Sequence, residues 1–204
     1  MITNNLYVIA AVCGNFWQES TVNPGVYEGL DPAGAGYGLG QWTDNAVTHR
    51  KTDLFNWLSA NGYARNSGEG QLEYLMYENV WLGNGAGHTS AYSSLTEFLQ
   101  STSNNLSDLT YEFMTQWEGI DDGTLPRRLN GAQVFHDAFL NDTGTRVPWT
   151  AGNFLLSWEQ ATNNALHILD FFLENDHALT DAEVAAIVQL ALKRRRRGGG
   201  IIVF

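Results

Sequence analysis

The sequence predicts a mainly α-helical protein with a buried central helix, a short irregular hairpin and loop region, and a C-terminal helical extension. Three observations carry this reading. Apolar residues recur at helical spacing through most of the chain. No run shows the sustained β-branched alternation of a sheet. Pro24, Pro32 and six glycines (Gly25, Gly29, Gly34, Gly36, Gly38 and Gly40) fall within residues 21–41. With 204 residues, 44% hydrophobic and 16% charged, the chain has apolar material for one core and at most a small appendage.

Each element follows in order. Leu6, Val8, Ile9, Val12, Cys13, Phe16 and Trp17 leave almost no polar face on a helix over 4–20, the pattern of a helix buried on most sides. Residues 21–41 read as turns with one short hairpin. Helical spacing then returns: Leu54, Phe55, Trp57 and Leu58; Leu72, Leu75, Met76 and Val80; Leu95, Phe98 and Leu99; Leu109, Phe113, Met114 and Trp117; Val134, Phe135, Ala138 and Phe139. Gly62, Gly83, Gly119 and Gly123 lie between these runs as stops. A polar stretch over 142–156, with Gly144, Pro148 and Gly152, reads as a linker after a body at 1–141. Residues 157–204 read as a helical hairpin, with Leu166, Leu169, Phe172 and Leu173 on one helix and a Thr180–Glu183 capping box opening the next. The basic run 193–197 and Gly198–Gly200 end the chain as a solvated tail or as a contact peptide for another subunit.

Charge excludes several function classes. The net charge is −11, and 193–197 hold five of the 11 basic residues, which leaves six basic against 22 acidic residues in the rest of the chain. Such a body repels nucleic acid and anionic lipid, so neither is expected as a partner. Cys13 is the one cysteine, so no internal disulfide forms; inside an apolar helix it reads as a buried structural thiol. The first 18 residues carry no charge, but Asn4, Asn5, Asn15 and Gln18 interrupt them, so they read as neither a membrane-spanning helix nor a cleavable signal. The five histidines are scattered without metal-ligand spacing, and no metal or cofactor is expected.

Two segments carry chemistry. Glu19 is the first charged residue of the chain and ends the buried helix in Gly14-Asn15-Phe16-Trp17-Gln18-Glu19-Ser20. Held against Phe16 and Trp17, its carboxyl would lose hydration, its pKa would rise, and it could donate a proton to a glycosidic oxygen. Position alone also allows a glutamate that caps the helix and faces water. The second segment is Gly36-Tyr37-Gly38-Leu39-Gly40-Gln41-Trp42. Its glycines permit close backbone approach to a ligand, Tyr37 and Trp42 offer flat faces for sugar rings, and Gln41 adds an amide that donates and accepts. Trp117-Glu118 reads as either the far wall of a cleft or a core tryptophan beside a surface glutamate, and Arg127-Arg128 as partners of the acidic body or of a ligand carboxylate.

The first segment, extended through Thr21-Val22-Asn23-Pro24-Gly25, and the second together resemble the lysozyme-like domain of phage tail proteins, within the wider lysozyme and lytic transglycosylase superfamily. The resemblance continues less sharply through Gln71-Leu72-Glu73-Tyr74-Leu75, Trp117-Glu118 and Arg127-Arg128, and covers roughly 1–141. It implies a lysozyme-like α+β fold with Glu19 as the catalytic acid. Ser20, Tyr37, Gln41 and Trp42 would line the sugar cleft. The implied substrate is the β-1,4 bond between N-acetylmuramic acid and N-acetylglucosamine in peptidoglycan, and the implied setting is a phage tail acting on the bacterial wall beside other tail proteins. Hydrolysis needs a second carboxylate, whereas a lytic transglycosylase can use one acid and the 6-hydroxyl of the substrate. Glu28, Asp31 and Asp44 are the candidates by proximity, with Asp44 and then Asp31 preferred. A tail-tip protein that keeps the fold without turnover is the competing class. The acidic body suits an enzyme carried on a particle, where tethering replaces electrostatic steering.

Overall fold

The computed structural model describes residues 3–175. Helix α1 (Leu6–Ser20) starts where the Asn5 side chain accepts from the Tyr7 amide, and its residues Val8–Cys13 and Phe16 are fully buried. It is the axis of the core. Helices α5 (Leu106–Phe113) and α6 (Leu125–Leu140) pack along it. The close approach of α6 requires Gly14, since a Cβ there would fall 2.4 Å from the Arg128 carbonyl oxygen and 2.7 Å from the Ala132 Cβ. That contact sets the register between the two helices and brings Arg128 level with the last turn of α1.

The glycine-rich stretch folds as turns and one hairpin, as the sequence predicts. Strand β1 (Gly36–Tyr37) pairs antiparallel with β2 (Trp42–Thr43), with Tyr37 opposite Trp42. The hairpin tip is tied down at both sides. Ser20 Oγ donates to the Leu39 carbonyl (2.8 Å), and the Leu39 amide donates to Gln71 Oε1 (2.9 Å). Helices α2 (Arg50–Ala60), α3 (Gly68–Glu78) and the short α4 (Leu95–Leu99) complete this half of the body, and α3 and α4 are capped by Ser67 and Ser94. The helical runs and the predominance of helix are as expected.

Two features matter for the site. Helix α5 does not stop at Phe113 but widens into one π-type turn, Met114–Glu118, which Gly119 closes at φ +76°. Such turns often mark functional positions. After α1, Thr21 and Val22 both adopt left-handed backbone (φ +55° and +59°), unusual for β-branched residues. This strained turn is held by later parts of the chain: the Leu156 amide donates to Thr21 Oγ1 (2.8 Å), and Asn164 Nδ2 donates to the Val22 carbonyl (2.9 Å).

The segment expected as a linker therefore lies fastened on the body. Asn23 Nδ2 reaches the carbonyls of Gly152 and Phe154, and Arg146 pairs with both Asp142 and Asp170. Helix α7 (Trp158–Glu174), opened by a Ser157–Gln160 capping box, packs on α1, α3 and α6, with Trp158 stacked on Trp17 at 3.6 Å. The second helix of the expected hairpin and the basic tail lie outside the described residues.

Candidate active site

The end of α1, the turn Glu28–Leu30, the β hairpin, the N-terminus of α2 and the π-type turn surround a cleft of about 680 Å³. Glu19 lines it. Its side chain is 19% exposed, and Oε1 accepts from Arg128 Nη2 at 2.5 Å. Arg128 is itself fixed, donating from Nε to Thr124 Oγ1 (2.9 Å) and from Nη1 to Asn15 Oδ1 (3.0 Å). Asn15 in turn donates to the Ala11 and Thr110 carbonyls, so α1, α5 and α6 all orient the acid.

Opposing effects act on the Glu19 proton. Burial raises its pKa above that of a free glutamate, Arg128 pulls it down, and Asp122 and Glu28 push it up; the balance is upward. Glu118 also lines the cleft, with Oε1 out of solvent and without a hydrogen-bond partner among the described residues. Burial first, then the charge of Glu19, hold its pKa well above the ordinary range, against the pull of Arg128 and Arg50. Arg50 is occupied elsewhere, donating from Nε and Nη2 to Glu78 at 2.6 and 2.9 Å while its guanidinium lies 4.7 Å from the Trp117 ring.

The structure brings Gln41 and Glu28 to the cleft with Glu19. Gln41 sits at φ +46° and donates from Nε2 to the Gly38 and Val26 carbonyls, so its amide braces the hairpin while facing the cleft. Glu28 is exposed, and its Oε2 accepts from the Gly36 amide (3.0 Å).

The other expected site residues are placed differently. Tyr37 and Trp42 are 3% and 0% exposed and face the core, Tyr37 against Phe55 and Trp42 against Trp117 with its indole N–H on Glu78 Oε2. Ser20 is buried, its hydroxyl spent on the Phe16 and Leu39 carbonyls. These three are buried beneath the cleft and are not among the residues that line it. The aromatic residue at the cleft surface is Tyr27, packed on Tyr37 at 4.6 Å. Asp44 caps the start of α2 by accepting from the Thr52 amide and hydroxyl, and Asp31 accepts from the Ala33 amide within its own turn. Neither lines the cleft, and both carboxylates are occupied in local turns. Sequence reasoning also missed Tyr27, Arg50 and Leu155 as cleft residues. Burial of Cys13 pushes its thiol up, as a structural thiol requires.

A core helix that delivers one desolvated acid into a cleft beside a small β hairpin defines a lysozyme-like α+β protein. Residues 5–139 match the sequence model of the phage tail lysozyme family, and the chain belongs to that family. It is also 29% identical over 145 residues to morphogenesis protein 1 of Bacillus phage B103, a match covering 68% of this chain and 36% of the relative. The chain is thus a phage-associated, lysozyme-like protein that spans about a third of that relative. Among the described residues no helix is long and apolar enough to cross a membrane.

Proposed function

We propose that the chain is a peptidoglycan hydrolase carried by the phage particle, cleaving the β-1,4 bond between N-acetylmuramic acid and N-acetylglucosamine to open the host wall. The observation that carries this reading is Glu19, desolvated at the end of the core helix yet open to the cleft and paired with Arg128. Burial favours the protonated form of Glu19, the form that can give its proton to a glycosidic oxygen. Once the proton is donated, Arg128 is already placed to stabilise the carboxylate that remains. Family membership and the phage relative support the setting, in which other tail proteins are the partners.

Glu28 is the second carboxylate of this proposal, taking the place expected for Asp44 or Asp31. It is solvent-facing, lines the same cleft, and is oriented by the hydrogen bond it accepts from the Gly36 amide. One carboxyl in a dry environment and one in a wet environment is the division of labour that glycoside hydrolysis uses. Tyr27 and Gln41 would contact the sugar. The test is mass spectrometry of purified peptidoglycan after incubation with wild type, Glu19→Gln and Glu28→Gln. Reducing muramic ends from wild type alone are expected. Ends of the 1,6-anhydro type, with Glu28→Gln still active, would make the protein a lytic transglycosylase. No product from wild type on several wall types would leave a structural tail protein.

A further inference from the structure

Glu118 differs from the carboxylates around it in having no partner for a buried oxygen. Glu19 has Arg128, Glu28 has the Gly36 amide, and Glu78 has Arg50 and the Trp42 indole. Oε1 of Glu118 has none among the described residues, yet the residue lines the cleft. Its position is imposed by its neighbours. Trp117 is 1% exposed and wedged under Gly40, where an added Cβ would fall 2.3 Å from the Trp117 ring, and Gly119 closes the turn on the other side. The backbone that carries Glu118 is therefore held between two fixed points.

The charges that face it come from four helices: Glu19 on α1, Arg50 on α2, Glu78 on α3 and Arg128 on α6. Both cations are already engaged, each by one of these glutamates. An ionised Glu118 would leave one oxygen dry and unpaired, and would become a third anion against two cations once Glu19 gives up its proton, an arrangement that costs far more than holding a proton. Burial and the Glu19 charge push its titration the same way. A neutral carboxyl differs from an ionised one in offering an O–H donor.

We propose that Glu118 is a substrate-binding residue that works as a neutral carboxyl, donating a hydrogen bond from the cleft side of that carboxyl to an acceptor oxygen of the bound glycan, while Oε1 stays dry behind it. This rests on the reading of the cleft as a glycan site. No proton is consumed: Glu118 keeps its proton through the cycle, while Glu19 gives one up.

The test uses the full chain as wild type, Glu19→Gln, Glu118→Gln and Glu118→Ala, with turnover of purified peptidoglycan and pelleting of the same peptidoglycan as the two readouts. Glutamine keeps an N–H donor in place and alanine removes it. Glu118→Gln is expected to stay within about threefold of wild-type kcat/KM, and Glu118→Ala to fall about tenfold, mostly in KM. Placed in the Glu19→Gln background, the same two changes should leave pelleting affinity unaltered and about tenfold weaker, respectively. Thermal melts check folding, and Glu118→Met, of similar volume and without a donor, replaces alanine if that variant is unstable. Glu118→Gln as inactive as Glu19→Gln would overturn the proposal, because Glu118 would then act ionised. Glu118→Ala equal to wild type in both readouts would also overturn it. Wild type that binds in a Glu118-dependent way without cleaving would sustain Glu118 and overturn the hydrolase reading. Wild type that neither binds nor cleaves would overturn both.

Discussion

Arg128 donates to Glu19 at 2.5 Å across 109 residues of chain, and the guanidinium is 1% exposed. A buried cation is thereby set against a buried acid at the mouth of the cleft. The pairing depends on the close packing of α1 on α6 at Gly14, so the helix contact that builds the core also places the charge that governs the acid.

Replacing Arg128 with Met removes the main influence that lowers the Glu19 pKa, which then rises further. Activity that needs protonated Glu19 should keep its basic limb to higher pH, while the rate at the optimum falls because the product carboxylate loses its partner. Stability at pH 7 should drop by about 3 kcal/mol, and by less at pH 5, where any charge left on the unpaired carboxyl is more fully neutralised. A pH–rate profile on peptidoglycan and denaturant titrations at both pH values measure this. An unmoved basic limb would dissociate Arg128 from the titration of the acid.

Glu118 makes a separate prediction for stability. Its folded pKa lies well above the 4.5 of a free glutamate, so between those values the folded protein binds more protons than the unfolded chain, and stability falls as pH rises through that window. Asp122 and Asp142 act on the other side, since their depressed pKa values favour the folded state above 3.8 and lose that effect as pH falls below it. The chain should therefore be most stable in mild acid. Glu118→Gln should flatten the decline toward neutral pH, as read by urea midpoints between about pH 4.5 and 8. An identical slope in the variant would remove Glu118 as its source.

Gly40→Ala tests the floor of the cleft. The new methyl would meet the Trp117 ring at 2.3 and 2.6 Å and Phe16 at 3.3 Å, all on buried rings that cannot swing aside. A loss of about 1–3 kcal/mol is expected from overpacking, with reduced turnover as the π-type turn shifts. A wild-type melting temperature would show that the floor yields.

Asn153 clamps the turn that carries Glu28 from both ends, accepting from the Tyr27 amide (3.1 Å) and donating to the Leu30 carbonyl (2.8 Å). Asn153→Ala should lower kcat severalfold with little change in melting temperature, because the clamp is exposed and holds a carboxylate in place rather than a core. Asp at this position keeps the acceptor and loses the donor, so it should lie between alanine and wild type. Equal kinetics for all three would detach Glu28 positioning from this contact.

Much of the fold was legible in the sequence because its signals are local. The apolar run before Glu19 gives a helix at 4–20, against the observed Leu6–Ser20, and places the acid in its last turn. The glycine and proline density of 21–41 marks turns correctly. Side-chain direction within that stretch was not legible. Tyr37 and Trp42 are register partners, so both must point to one face, and the face is chosen by Trp117, Tyr74 and Phe55, which lie far along the chain. The same distance hides the Glu19–Arg128 pair, although an arginine pair near the acidic body was visible. Glu118 had a signal, a tryptophan-glutamate pair at a helix end before glycine, but its meaning depends on four other helices. Proximity in sequence points to Asp44 and Asp31, but it equally suits the turn-forming role that short acidic side chains fill most readily and that both of them fill here.

The left-handed turn at Thr21–Val22 has a consequence for the birth of the protein. The acid is encoded within the first tenth of the chain, but the groups that lock the turn behind it, the Leu156 amide and the Asn164 amide group, are translated more than 130 residues later. A ribosome must therefore release nearly the whole described chain before the cleft takes its final shape. For the hydrolase proposed above, such an order means that a stalled or prematurely ended chain carries Glu19 without a finished cleft.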